Sequence, residues 1–281
     1  MARRSGAAPA AGRRPPPADD HAQRQAAAAE RAALLGTSSQ PVAGVPGPGR
    51  WLVATYTPTA LFALKLSAAT SAVGKTLLIP TMYAIKMAPV DAAFRAGYAD
   101  AACGAVLRAL VDVDVRIAPT ARAVVTHTFC KIRQEPKTAS REHPYISSVA
   151  YREVVHAPGE WRWAFDLAAL DDQAAGWLVE LLPYISWIGK RGSFVQFLGL
   201  ARQPDLSVEF TQPRAENGFQ MPSRWHVADL DDFGPQASLD VLSSYSASRV
   251  QRDRHRQFVQ TIVPLGIVNV GPGFSEYERA E

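Results

Sequence analysis

Val111, Val113, Val115 and Ile117 alternate with Asp112, Asp114 and Arg116. A period of two predicts a strand with one face turned to a core. Residues 124–132 and 145–156 predict two further strands, joined by a segment at 133–144 too polar for a core. Two long strands joined in this way imply a protruding hairpin. Trp161, Trp163, Phe165 and Leu167 alternate in another strand, and residues 193–201 are apolar on both faces, as a central strand would be. Residues 51–66 are rich in strand formers, with an interruption near Pro58. Pro80 suits the first position of a helix. That helix runs over 81–88 and is kinked or restarted at Pro89 before 90–96; residues 100–110 add another helical piece. Asp171 and Asp172 mark a helix N-terminus, where carboxylates complement the dipole, and the helix carries Trp177 to Leu182.

That helix delivers the chain into Gly189, Lys190, Arg191, Gly192 and Ser193, with large apolar residues on both sides. Two glycines tolerate positive φ, so the turn can be tight and approach a ligand closely. Backbone N–H groups beside Lys and Arg suit a phosphate backbone. An ordinary helix-to-strand turn with solvated charges fits the same residues. The order of strands and helices is that of a split βαβ, ferredoxin-like arrangement with a hairpin extension. The chain therefore reads as α+β. A ferredoxin-like (RRM-like) domain covers 51–201, with a hairpin at about 124–156. A β-rich extension follows over 202–281, where 205–210, 237–245 and 258–270 are candidate strands and Pro264 marks a break.

Charge changes the picture only when it is divided. The net charge is +4, and residues 1–50 carry seven Arg against three acids; from residue 51 onward 23 basic residues balance 23 acids. A nucleic-acid surface on the folded part must therefore be a local patch. The Ala-, Pro- and Arg-rich first fifty residues cannot bury enough apolar surface to offset chain entropy and read as a disordered tail. Cys103 and Cys130 form neither a disulfide framework nor a metal set, which favours a reducing cytoplasm, and no apolar run is long enough for a membrane span. Ala69 to Thr76 follows the phosphate-loop pattern except for its first glycine, but Pro80 would fall in the first turns of the helix that motif must open. Arg249 to Arg256 is the densest cationic run of the folded part, a solvated loop by default and an RNA or subunit contact as the alternative.

Three segments carry a resemblance to a known family. Ile79 to Ala93 (IPTMYAIKMAPVDAA) looks like a Pro-Thr-opened first helix, Ala150 to Val155 (AYREVV) like an Arg-Glu strand leaving a hairpin, and Ile188 to Phe194 (IGKRGSF) like a glycine-rich loop. In this order they resemble the RAMP superfamily of CRISPR-associated proteins. Within it they resemble the Cas-five family, which caps the 5′ end of the guide RNA in type I Cascade surveillance complexes. The resemblance spans roughly residues 51–200. It implies a RAMP domain whose thumb hairpin folds over the 5′ handle of the crRNA and touches a backbone RAMP subunit. A large subunit and, indirectly, target DNA complete the partners. By the same resemblance Lys190 and Arg191 hold handle phosphates, with Gly189 and Gly192 permitting close approach. Lys131, Arg133, Lys137, Arg141 and Arg152 line the hairpin, and Tyr83 and Lys86 reach the RNA from the first helix. Core packing is an equally good reading of Tyr83.

Some family members process repeat RNA with a Tyr, Lys and His set. Metal-free cleavage needs a base for the 2′-OH and an acid for the leaving oxygen. His127 and His156 are the candidates here, at no spacing that singles out a pair. No cofactor or metal is implied. The reading is a structural RNA-binding subunit, with a repeat-processing ribonuclease and a small-ligand ferredoxin-like domain as alternatives.

Overall fold

A computed structural model describes residues 49–66, 73–134, 136, 145–214 and 225–279. The tail expected over the first fifty residues lies almost wholly outside the described residues, as do Lys137 and Arg141. The Arg50 guanidinium forms a two-point pair with Asp166, and the Arg50 carbonyl accepts from Leu167 N.

The first strand, β1 (Trp51–Pro58), is buried on both faces. Leu52, Ala54 and Tyr56 join the main core, while Trp51 and Val53 pack with Ala118, Ala164 and Phe210 on the other side. Three two-residue strands follow, β2 (Leu64–Lys65), β3 (Val73–Gly74) and β4 (Thr76–Leu77). Helix α1 (Met82–Arg95) is capped by Thr81, whose side chain accepts from Ala84 N at 3.2 Å. Pro80 thus precedes the cap rather than opening the helix. Pro89 is buried inside α1 without ending it.

Helix α2 (Asp100–Leu110) leads to β5 (Val115–Ala118). The alternation from Val111 to Ile117 overstates this strand. Val111 closes the last turn of α2 by donating to Arg108 O, so pairing begins only at Val115. The hairpin consists of β6 (Arg122–Gln134) and β7 (Ile146–His156), in continuous register from Val124↔His156 to Gln134↔Ile146. Strand β8 (Trp161–Asp166) and helix α3 (Asp172–Leu181) follow, α3 capped by Asp171, which accepts from Ala174 N at 2.8 Å. Strand β9 (Val195–Gln203) comes next. Strands β5, β8, β1 and β9 form an antiparallel sheet in that order. The position of β9 corrects the central-strand expectation: it is an edge strand, and Leu198 is exposed. The apolar residues of 193–201 cover the core with one face only.

The C-terminal part departs furthest from its sequence pattern. Residues 205–210 form no strand. Phe210 instead packs on the second face of the sheet, and Thr211 exchanges hydrogen bonds with Ile117. The remaining elements are β10 (Gln212–Pro213), β11 (His226–Phe233), the one-turn helix α4 (Leu239–Leu242), β12 (Arg256–Val263), β13 (Gly266–Gly271) and β14 (Phe274–Glu278). The 237–245 segment is thus helical in part. Pro264 separates β12 from β13, while β11 pairs with β12 along its whole length. Strand β14 pairs with β6 from Phe274↔Thr126 to Glu278↔Arg122, giving a five-stranded sheet β13-β14-β6-β7-β3. The C-terminal strands therefore brace the base of the hairpin.

Candidate nucleic-acid interface

The glycine turn is built as its residues dictate. Gly189 and Gly192 have φ of +66° and +99°, a region costly for other L-residues. Lys190 N donates to Ile188 O, Ser193 N to Lys190 O and Ile188 N to Ser193 O, so these amides are used inside the turn rather than offered to a ligand. Ser193 is buried, while Lys190 and Arg191 are exposed. A Cβ on Gly189 would sit 3.1 Å from Leu64 Cδ2, so the missing side chain seats the turn against β2. Trp187 leads into the turn, with the guanidinium carbon of Arg95 4.4 Å from its ring centre and that of Arg191 6.0 Å away.

Beside the turn lies an open groove of about 890 Å³. Gly189 and Lys190 form one wall, and Tyr83, Met87 and Asp91 of α1 another, spaced by four as one helical stripe. Arg152 reaches it from β7, and Lys65, Lys75 and Arg256 complete its basic rim. Tyr83 is held edge-on to Phe233 (ring centres 5.3 Å apart), with the Arg256 guanidinium 4.6 Å from its ring centre. Burial pushes the Tyr83 phenol up, against the pull of Arg256, so it stays neutral and can donate. Arg256 itself is paired with Asp231. Sequence reasoning thus named four residues that the fold brings together: Tyr83, Arg152, Gly189 and Lys190. It passed over Lys65 and Trp187, took Arg256 only within a run whose alternative was an RNA or subunit contact, and took Lys75 only within the phosphate-loop pattern. Arg256 closes the dense cationic run and Lys75 sits in the phosphate-loop-like segment, so a signal existed for both.

Lys86 does not reach this groove. Its side chain is 1% exposed, and Nζ lies 2.8 Å from Asp232 Oδ1 and 3.1 Å from Val111 O. Three residues on from Tyr83, it rotates off the groove stripe and points at β11, a partner that only the tertiary fold supplies. Burial pushes the Asp232 carboxyl up even though Lys86 pulls it down. The phosphate-loop reading fails on geometry as well. Gly74, Lys75 and Thr76 lie in or between short strands, Thr76 N donates to Glu153, and the next helix starts only at Met82.

The hairpin presents two different faces. Cross-strand partners share a face. His127, Phe129, Lys131 and Arg133 therefore lie with Glu153, Tyr151, Val149 and Ser147, and Arg152 lies on the reverse. Phe129 is 74% exposed and meets Tyr151 edge-on at 5.4 Å, as does His127. Lys131 and Arg133, both exposed, thus stand on an aromatic strip rather than beside Arg152. His156 pairs with Val124 and falls on the reverse face from His127. The two histidines are not brought together as an acid and a base would have to be. Among the described residues no three His, Cys, Asp or Glu side chains converge as a metal site requires, and no helix is long and apolar enough to cross a membrane.

No protein-family model matches the chain, and no curated protein matches it at a significant level. Among solved structures, a CRISPR protein from Archaeoglobus fulgidus is similar with a TM-score of 0.42 and 12% identity, covering 82% of this chain and 92% of that one. A chain of a CRISPR RNA-guided surveillance complex is similar with a TM-score of 0.38 and 17% identity, covering 77% of this chain and 91% of its own. Both of these solved structures are of CRISPR proteins, at low identity to this chain.

Proposed function

We propose that this chain is a crRNA-binding structural subunit of a type I, Cascade-like CRISPR effector and that it caps the 5′ handle of the guide RNA. The carrying observation is the groove. A tight glycine turn bearing Lys190, the Tyr83 ring and Arg152 come from three distant parts of the sequence and line one groove with a basic rim. The all-antiparallel order β5-β8-β1-β9, with α1, α2 and α3 in the connections, supports a ferredoxin-like RAMP domain. The projecting β6–β7 hairpin supports a thumb. Cations give salt-dependent affinity for the phosphates, and rings such as Tyr83 can stack on splayed bases. Lys190 reaches the groove, while Arg191 stands outside it over Trp187 and meets the strand as it enters.

The test is binding of a labelled single-stranded repeat RNA to the wild type and to the Lys190→Ala, Arg191→Ala double variant. Each charge-assisted hydrogen bond to a phosphate is worth ~1.5–3 kcal/mol, so affinity should fall by about tenfold or more at moderate salt. The slope of affinity against salt should become shallower. Equal affinity of the two proteins would overturn the reading.

A further inference from the structure

A second cavity, of about 850 Å³, opens on the face of the β6–β7 hairpin opposite Arg152. Its polar lining includes His127 and Glu153 of the hairpin, Lys75 beside β4, His226 and Asp229 of β11, and Tyr277 of β14, with Trp225 just before β11. Trp225 is 8% exposed, and its indole N–H has no hydrogen-bond partner among the described residues. That nitrogen is closed off from solvent, as are those of Trp161 and Trp163 in the core, so Trp225 offers the cavity ring surface rather than a donor. Glu153 is buried too. One carboxylate oxygen accepts from Thr76 N at 3.0 Å, while the other lies 3.8 Å from His127 Nε2, beyond hydrogen-bond reach. His226 Nδ1 lies 2.9 Å from Leu265 O, so Nδ1 carries the proton. Burial pulls the ring's pKa down, which leaves it neutral with Nε2 as an acceptor. The His226 and Tyr277 rings stand 6.4 Å apart, centre to centre.

Aromatic walls and a buried carboxylate with accepting capacity suit a flat heterocycle that carries adjacent N–H groups. They do not suit a phosphate, which the Glu153 charge would repel. The exposed Lys75 lines both this cavity and the basic groove, so a strand leaving the groove finds a cation for the phosphate between them. We propose that this cavity takes an extruded base of the RNA held in the groove, with guanine preferred. Guanine offers two adjacent N–H donors to Glu153. Uracil offers one N–H flanked by two carbonyls that would face the carboxylate. The inference rests on the RNA reading of the groove.

The experiment measures anisotropy binding of the full chain to short labelled oligouridylates, each carrying one guanosine at a successive position. At one position guanosine should tighten binding about tenfold, the size of a good two-point base contact. In Glu153→Gln that ratio should fall to within about twofold. Lys190→Ala with Arg191→Ala should weaken the uridylate and the guanosine-bearing strands alike, leaving the ratio in place. Ratios within about twofold at every position, or a preference that survives Glu153→Gln, would overturn the base pocket and leave the groove reading standing. If no strand binds, the groove reading fails. Calorimetry with guanosine and uridine monophosphates then decides the pocket: guanosine monophosphate binding that disappears in Glu153→Gln supports it, and binding of neither nucleotide overturns it.

Discussion

The four-stranded and five-stranded sheets use aromatic residues in opposite ways. In the first, Trp161, Trp163, Phe165 and Tyr56 are buried. Tyr56 stacks on Trp163 with ring centres 4.0 Å apart and spends its hydroxyl on Leu182 O at 2.7 Å. In the second, Phe129 and Tyr151 stand on a hairpin whose far half is open to solvent, next to Lys131 and Arg133. Similar side chains on antiparallel strands thus do different work, because helices cover one sheet and leave the other's far half bare. Buried rings stabilise the domain. An exposed ring adds little to stability and is free to meet a partner.

The sharpest way to break this comparison is a pair of truncations. Trp163→Ala should cost ~3–5 kcal/mol of stability, the usual loss for a large aromatic removed from a core. Phe129→Ala should stay within ~0.5 kcal/mol of wild type. Equal shifts in the denaturation midpoint would end the distinction. Lys86 offers a second test, because it is a cation placed like a core residue. Lys86→Ala leaves the Asp232 carboxylate buried without its partner and should cost ~3–5 kcal/mol. Adding Asp232→Ala should restore part of that loss. RNA affinity per folded molecule should not change in either variant, in contrast to the Lys190 and Arg191 substitutions. Loss of RNA binding at full stability would return Lys86 to the interface.

Gly189 sharpens the comparison at the junction of turn and core. Alanine there must hold φ near +66° and meet Leu64, so the variant should lose ~1–2 kcal/mol. A neutral outcome would show that the turn relaxes freely.

The smallest effect is on pH dependence. Burial lowers the His226 pKa in the folded state below its ordinary value of 6.5, so the unfolded chain binds the proton more readily. Stability from this residue is therefore complete above about 6.5 and lost as pH falls through the lowered folded value. His226→Asn, which can keep a donor to Leu265 O, should flatten the midpoint-against-pH curve below that point. An unchanged slope would assign the acid sensitivity elsewhere.

Much of this architecture was legible in the sequence because its signals are local. Asp171 caps a helix with its own side chain, and Pro58 ends a strand by its missing donor. Two glycines three apart around Lys190 and Arg191 announce a tight turn, and the long apolar alternations on either side of 133–144 announce a hairpin. None of these depends on what packs against the segment. Tertiary structure alone decided the rest, because burial depends on which element lies opposite. Lys86 looks like a surface cation until β11 brings Asp232 to it. Residues 205–210 alternate like a strand, yet fold Phe210 onto the far side of the sheet. The 193–201 segment is apolar enough for a central strand, but it has β1 on one side only. Lys75 and Arg256 became groove residues when α1, the hairpin and the C-terminal strands converged, and Glu153 came to face a cavity only through β11 and β14. Local pattern sets the elements; long-range burial selects which charges and rings face one another.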